Sequence, residues 1–170
     1  GDMLYHNVDH TIMVTMVGQE ILRGKHLKEG RVTPEEGLNY LLALLCHDVG
    51  YVKGVCERDE ASALGFDDGK GATVFLAEGG TCSLLTPYHV DRGKVFARER
   101  FAHYEFVDLD LVEACIERTR FPVPEEGAYL ETADLPGLAR AADLVGQLGD
   151  PEYLRKIPAL FYEFEELGKN

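Results

Sequence analysis

The sequence predicts an all-α protein: one helical bundle over residues 1–170 that carries a single small β-hairpin at about 72–86. Three observations predict it. Apolar residues recur at helical spacing along most of the chain. Helix starts and stops such as Thr33-Pro34-Glu35-Glu36 and Gly149-Asp150-Pro151 fall between those stretches. β-branched and aromatic residues cluster in one place, around Gly79-Gly80. At 170 residues one well-buried core fits and two ordinary domains do not.

The elements follow in order. A first helix is expected from 10 to about 25, where Met13, Val14, Val17 and Ile21 share a stripe with His10. His6, four residues earlier, falls on the same side if that helix extends back to it. Gly30 opens a loop, and Thr33 then caps a second helix, with Pro34 in its first position and Glu36 completing a capping box. Leu38, Leu41, Leu42, Leu44 and Leu45 make this helix apolar nearly all round, so it is expected at the centre. Gly50 and Gly54 end it, which puts His47-Asp48 in its last turn.

Residues 58–66 predict a short helix, interrupted by Asp67-Asp68-Gly69-Lys70-Gly71. Strands at 72–77 and 81–85 around Glu78-Gly79-Gly80 form the expected hairpin. Helices follow at about 91–106 and 109–118, the latter stopped by Phe121-Pro122-Val123-Pro124. Asp134 caps a helix over 136–148, and a last amphipathic helix carries Pro158. The acidic run from Glu163 to Glu166 reads as a solvated face of that helix.

Composition narrows the function. A hydrophobic fraction of 45% with 28% charged residues is that of a soluble globular chain. No apolar run approaches the roughly 18–20 residues of a membrane span. A net charge of −13 argues against nucleic acid or an anionic membrane as partner, while a small phosphorylated substrate stays compatible if a cation reverses the local field. Cys46, Cys56, Cys82 and Cys115 form no CxxC pair, which fits free thiols in a reducing cytoplasm. The opening Gly1-Asp2-Met3 is unlike a natural start and suggests a cut chain lacking a lead-in helix. A homo-oligomer is compatible with all of this.

The chemistry concentrates in two segments, Tyr5-His6-Asn7-Val8-Asp9-His10 and Cys46-His47-Asp48-Val49-Gly50. Asp48 ends an apolar run, and a buried carboxylate is costly unless it is paired or holds a metal. His10, His47 and Asp48 therefore form a candidate cation site. A fourth ligand is expected from the helix after Pro136. Asp143 is the better choice, because Ala139, Ala141 and Ala142 around it let another helix approach closely, whereas Asp134 reads as a cap. Imidazole and carboxylate together suit one or two divalent ions, Mn, Mg, Zn or Fe alike. Asn7 and Gln147 are candidates to orient these ligands. Pro87-Tyr88-His89-Val90-Asp91-Arg92-Gly93-Lys94 reads either as a phosphate loop, with His89, Arg92 and Lys94 meeting substrate, or as a solvated turn. Thr119 and Arg120 are further substrate-binding candidates. His26 and His103 read as surface or structural residues.

In this order and on these helices, His10, His47-Asp48 and Asp143 resemble the ligand set of the HD-domain metal-dependent phosphohydrolases over most of the chain. Tyr5-His6-Asn7-Val8-Asp9-His10-Thr11 is similar to the YHNxxHA signature of the cyclic-nucleotide phosphodiesterases, and Ile116-Glu117-Arg118-Thr119 resembles their IxxT segment. The resemblance implies an HD-type bundle in which His10, His47, Asp48 and Asp143 hold a first metal. It also implies that Asp48 bridges to a second ion and that His6 protonates the leaving group, making His6 and Asp48 the catalytic pair. Water acidified by such cations, to a pKa of about 7, would be the nucleophile.

The chain departs from the phosphodiesterase pattern at Tyr51, where HDxxHPG has a further His. It is also about half the length of those catalytic domains and lacks a recognisable nucleotide-clamping glutamine. The expected reaction is therefore hydrolysis of a small phosphate ester, nucleotides included. Two other readings stand beside it: a ligand-binding signalling module without turnover, and a di-iron oxygenase in which His89 or His103 serves the second metal.

Overall fold

The structure is a computed structural model that describes residues 2–168. It consists of six α-helices, four short 3-10 turns and one two-stranded antiparallel hairpin, so the all-α class with a small β excursion holds.

Helix α1 spans Val8–Glu29, because the Asn7 side chain accepts hydrogen bonds from the backbone N–H groups of Asp9 and His10. That cap fixes the start one residue after Asn7, so His6 lies outside the helix rather than one turn back on its stripe. The buried stripe is His10, Val14, Gly18 and Leu22, with Met13, Val17 and Ile21 half-buried at its edge. Helix α2 spans Pro34–Cys46, with both halves of the Thr33–Glu36 capping box formed. It is not buried all round as its leucines suggested. Asn39, Tyr40, Ala43, Leu44 and Cys46 face inward, while Leu38 and Leu45 are 45% and 55% exposed.

After α2 the chain passes through His47 and Asp48 into a 3-10 turn at Val49–Tyr51. A Cβ on Gly50 would run into the backbone carbonyl of His89, so glycine lets this turn lie directly against the start of the next long helix.

The hairpin sits upstream of its expected position. Residues 58–66 make no α-helix. They form a 3-10 turn at Ala61–Ala63 and then strand β1, Gly65–Asp67, which pairs with β2, Thr73–Phe75. The Asp67-Asp68-Gly69-Lys70-Gly71 interruption is the hairpin loop itself. Asp67 Oδ1 accepts from Gly69 N–H, and Asp68 Oδ1 accepts from the N–H groups of Lys70 and Ala72. Gly69 has φ of 79° and backs onto Asp91, where a side chain would collide. The expected second strand is instead a 3-10 turn at Cys82–Leu85.

Helix α3 spans His89–Phe101, shorter at its C-terminus than expected. Helix α4 spans Leu109–Arg118, capped by Asp108, and α5 spans Leu135–Leu148. Asp134 caps α5 by accepting from Gly137 N–H and pairs with Arg118, so it is structural as read. Helix α6 spans Tyr153–Glu166.

The core lies where α1 packs along α5, α2 on α4, and α4 on both α3 and α5. Val14, Tyr40, Leu44, Val90, Val112, Ile116, Ala139 and Ala142 are buried there. The small residues of α5 permit close approach of α1, and that approach sets His10 opposite Asp143. All four cysteines are buried and free. Among the described residues no helix is long and apolar enough to cross a membrane.

Candidate functional site

Three elements converge at one end of this core. His10 comes from the first turns of α1, His47 and Asp48 from the end of α2, and Asp143 from the middle of α5. His10 Nε2 lies 3.4 Å from His47 Nε2, 3.5 Å from Asp48 Oδ2 and 3.3 Å from Asp143 Oδ1. His47 Nε2 is 3.2 Å from Asp48 Oδ2 and 3.8 Å from Asp143 Oδ1. The ligand atoms of His10, His47 and Asp143 all fall within 4.8 Å of one another.

The tautomer of His47 follows from its surroundings. Its Nδ1 sits 2.7 Å from the Leu44 carbonyl, which can only accept, so Nδ1 carries hydrogen and a neutral ring has its lone pair on Nε2. That lone pair faces two carboxylates and another imidazole. Asp48 Oδ2 is buried and makes no hydrogen bond, despite its proximity to both rings. Electron-rich atoms pointed at one another need protons or a cation between them. With protons alone, His47 takes the load. Burial opposes its charge, but the adjacent Asp48 and Asp143 outweigh burial and push its pKa up to about 9. Asp48 responds in the opposite direction, held well below the usual carboxylate range by His47 against its own burial.

A cation is the other solution, and the spacing admits one. Ligands bound at about 2.0–2.2 Å sit roughly 2.8–3.6 Å from their neighbours, from right-angled to tetrahedral arrangements. Four of the five separations above lie inside that range, and the set that closes within 4.8 Å is His10, His47 and Asp143, with Asp48 beside it. The donor set, two imidazoles and two carboxylates, suits a divalent ion of borderline or hard character.

The cluster opens on a cavity of about 610 Å³. His6, Tyr51 and His89 line it as a stack of rings, with centroids 5.0 Å apart for His6–Tyr51 and 4.3 Å for Tyr51–His89. Tyr51, the residue that departs from the phosphodiesterase pattern, thus fills the space between two histidines. His89 Nδ1 donates to the Thr86 carbonyl, and burial lowers its pKa, leaving a neutral ring. His6 Nδ1 is 2.6 Å from Glu163 Oε2, while Glu163 Oε1 accepts from Tyr5 N–H. Burial works against a charged His6, yet the Glu163 hydrogen bond and the field of Asp48 raise its pKa above the ordinary value.

Several expected roles change. The Glu163–Glu166 run is a solvated face only at Glu165 and Glu166, which are exposed: Glu163 is 5% exposed beneath His6, and Glu166 accepts from Thr81 and Ser83. Arg92 is no substrate ligand. Its side chain is fully buried and donates to both carboxylate oxygens of Asp59 and to the carbonyls of Gly50, Val52 and Asp67. Lys94 pairs with Asp91 and Glu117 and lies outside the cavity lining. Asn7 serves as the α1 cap. His103 is exposed, its ring tilted against Tyr104 and outside the cavity lining, which removes it as a second-metal ligand.

His89, Thr119 and Arg120 do line the cavity, as does Gln147. Arg120 is held by Glu117 and Asp91, which raise its pKa further. Two residues escaped the sequence reading. Glu163 lay hidden in an acidic run, its one signal being apolar neighbours on both sides. Arg140, one turn before Asp143 on the same face of α5, enters the cavity and hydrogen-bonds the Tyr129 carbonyl.

Fold and site together define an all-α protein with a buried His–His–Asp cluster at the head of a deep cavity. The chain belongs to the Npun_R2479-like family, whose model matches residues 1–170. No curated protein and no solved structure matches it.

Proposed function

We propose that this protein is a metal-dependent phosphohydrolase of the HD type, cleaving a small phosphate ester. The observation that carries the reading is the unpartnered Asp48 Oδ2, buried against two imidazole nitrogens. A protein gains nothing in stability from such an arrangement unless something positive completes it. His10, His47, Asp48 and Asp143 would hold one ion, with Asp48 shared with a second as the resemblance implies. A divalent cation there supplies charge for the phosphoryl oxygens and lowers the pKa of water towards about 7.

The chain's own residues do the rest. Glu163 fixes the His6 ring through Nδ1, which leaves Nε2 to deliver a proton to the departing alkoxide. The raised pKa keeps that proton available near neutrality. Tyr51, stacked on His6, limits its rotation. Arg140 places positive charge along the cavity for an anionic substrate, while the Arg120 charge is balanced by Glu117 and Asp91. Four buried free thiols suit a reducing cytoplasm as its compartment.

The test is nitrophenolate release from mono- and bis-nitrophenyl phosphate with Mn²⁺, using Asp48→Ala as control. Release by the wild type alone supports the reading, and the faster substrate identifies monoester or diester. No release from protein that holds the metal would replace it with a binding module.

A further inference from the structure

We propose that the ester cleaved here carries an apolar alcohol, alkyl or aryl, rather than a nucleoside. This rests on the phosphohydrolase reading. The cavity is divided by chemistry. Its lining joins Asp48, Asp143, Arg120 and Arg140 to an apolar wall of Phe121, Val123, Leu144, Leu148, Leu160 and Phe164. These six come from three separate elements: the connector after α4, the cavity face of α5, and α6. Phe121 and Leu148 are 67% and 68% exposed, so the wall is an apolar surface left open to water. Such surface at a site is ordinarily covered by what binds there.

Three polar side chains of the lining already spend a donor within the protein. The hydroxyl of Thr119 donates to the Ile116 carbonyl, that of Thr86 to Ser83, and Gln147 Nε2 to Tyr153. A nucleobase would lay its polar edge against a mostly apolar surface, and unpaired polar edges are penalised on burial. An alkyl or aryl chain brings none. With the phosphoryl group at the His and Asp cluster, the alcohol extends along the apolar wall, and about 610 Å³ accommodates both.

The experiment is calorimetric titration of Mn²⁺-loaded protein with methyl-, butyl- and hexylphosphonate and with AMP, so that binding is read without turnover. Affinity should tighten about fourfold per added methylene. It should flatten across the series in Leu160→Gln and, as a second variant, Phe164→Ser, with methylphosphonate affinity unchanged in both. Equal binding of all three phosphonates by the wild type, or tighter binding of AMP than of hexylphosphonate, overturns the inference and leaves the phosphohydrolase reading standing. Failure to bind any phosphonate overturns both.

Discussion

Two buried ionic clusters sit within one fold and could hardly differ more. Around Arg92, five N–H donors meet five acceptors: Nε and the two terminal nitrogens reach Gly50, Val52, Asp67 and both oxygens of Asp59. Nothing is left over. Around Asp48, by contrast, two carboxylates and two imidazoles crowd together, and one buried oxygen has no hydrogen bond. The first cluster ties the hairpin and the 49–51 turn to α3, and its completeness marks it as structural. Incompleteness in the second is what the proposed cation would resolve. Both began as polar residues in sequence; their hydrogen-bond accounts separate them.

That contrast can be attacked from either side. The largest effect is expected from Asp48→Ala, which should lower hydrolysis to background and abolish metal binding together. Activity surviving with metal absent would show that the open cluster is not the reactive centre. Next, His6→Ala should retain the metal and lose roughly 10²–10⁴-fold in turnover, since it removes the proton donor alone. Unchanged turnover in a steady-state assay would reassign His6 to structure.

On the saturated side, Arg92→Met should cost about 3–5 kcal/mol in urea unfolding, because Asp59 is left charged and buried. A loss below about 1 kcal/mol would mean that the pair is dispensable and the contrast false. Smallest is Glu163→Gln, expected to slow turnover by roughly tenfold. It should also move the alkaline limb of the rate profile to lower pH. The sign follows from the Glu163 bond: it helps raise the His6 pKa, and without that carboxylate burial pulls it down, so the acid form disappears earlier. An alkaline limb that stays in place would remove Glu163 from the proton-donor pair.

Much of the open cluster was legible because its members obey local rules. His10 lies on a helical stripe, His47-Asp48 ends an apolar run, and Asp143 sits among alanines that announce a close helix pair. Asp134 could be set aside because a cap has its own signature. What was hidden depended on distant partners. Glu163 meets His6 across 157 positions of sequence, and only its apolar neighbours set it apart from the exposed acids beside it. Arg92 looked like a phosphate ligand because its polar neighbourhood is visible in sequence, whereas the carbonyls and the carboxylate that enclose it belong to three other segments. The hairpin was displaced for a related reason. Strands of three residues carry too little pattern to declare themselves, and the Asp-Gly loop that joins them resembles any other break.

The most direct test of the account is calorimetric titration of metal-free protein with Mn²⁺, wild type against Asp48→Ala. The account predicts one or two ions bound by the wild type and none by the variant at the same concentrations. Equal binding by both proteins, or by neither, would contradict it.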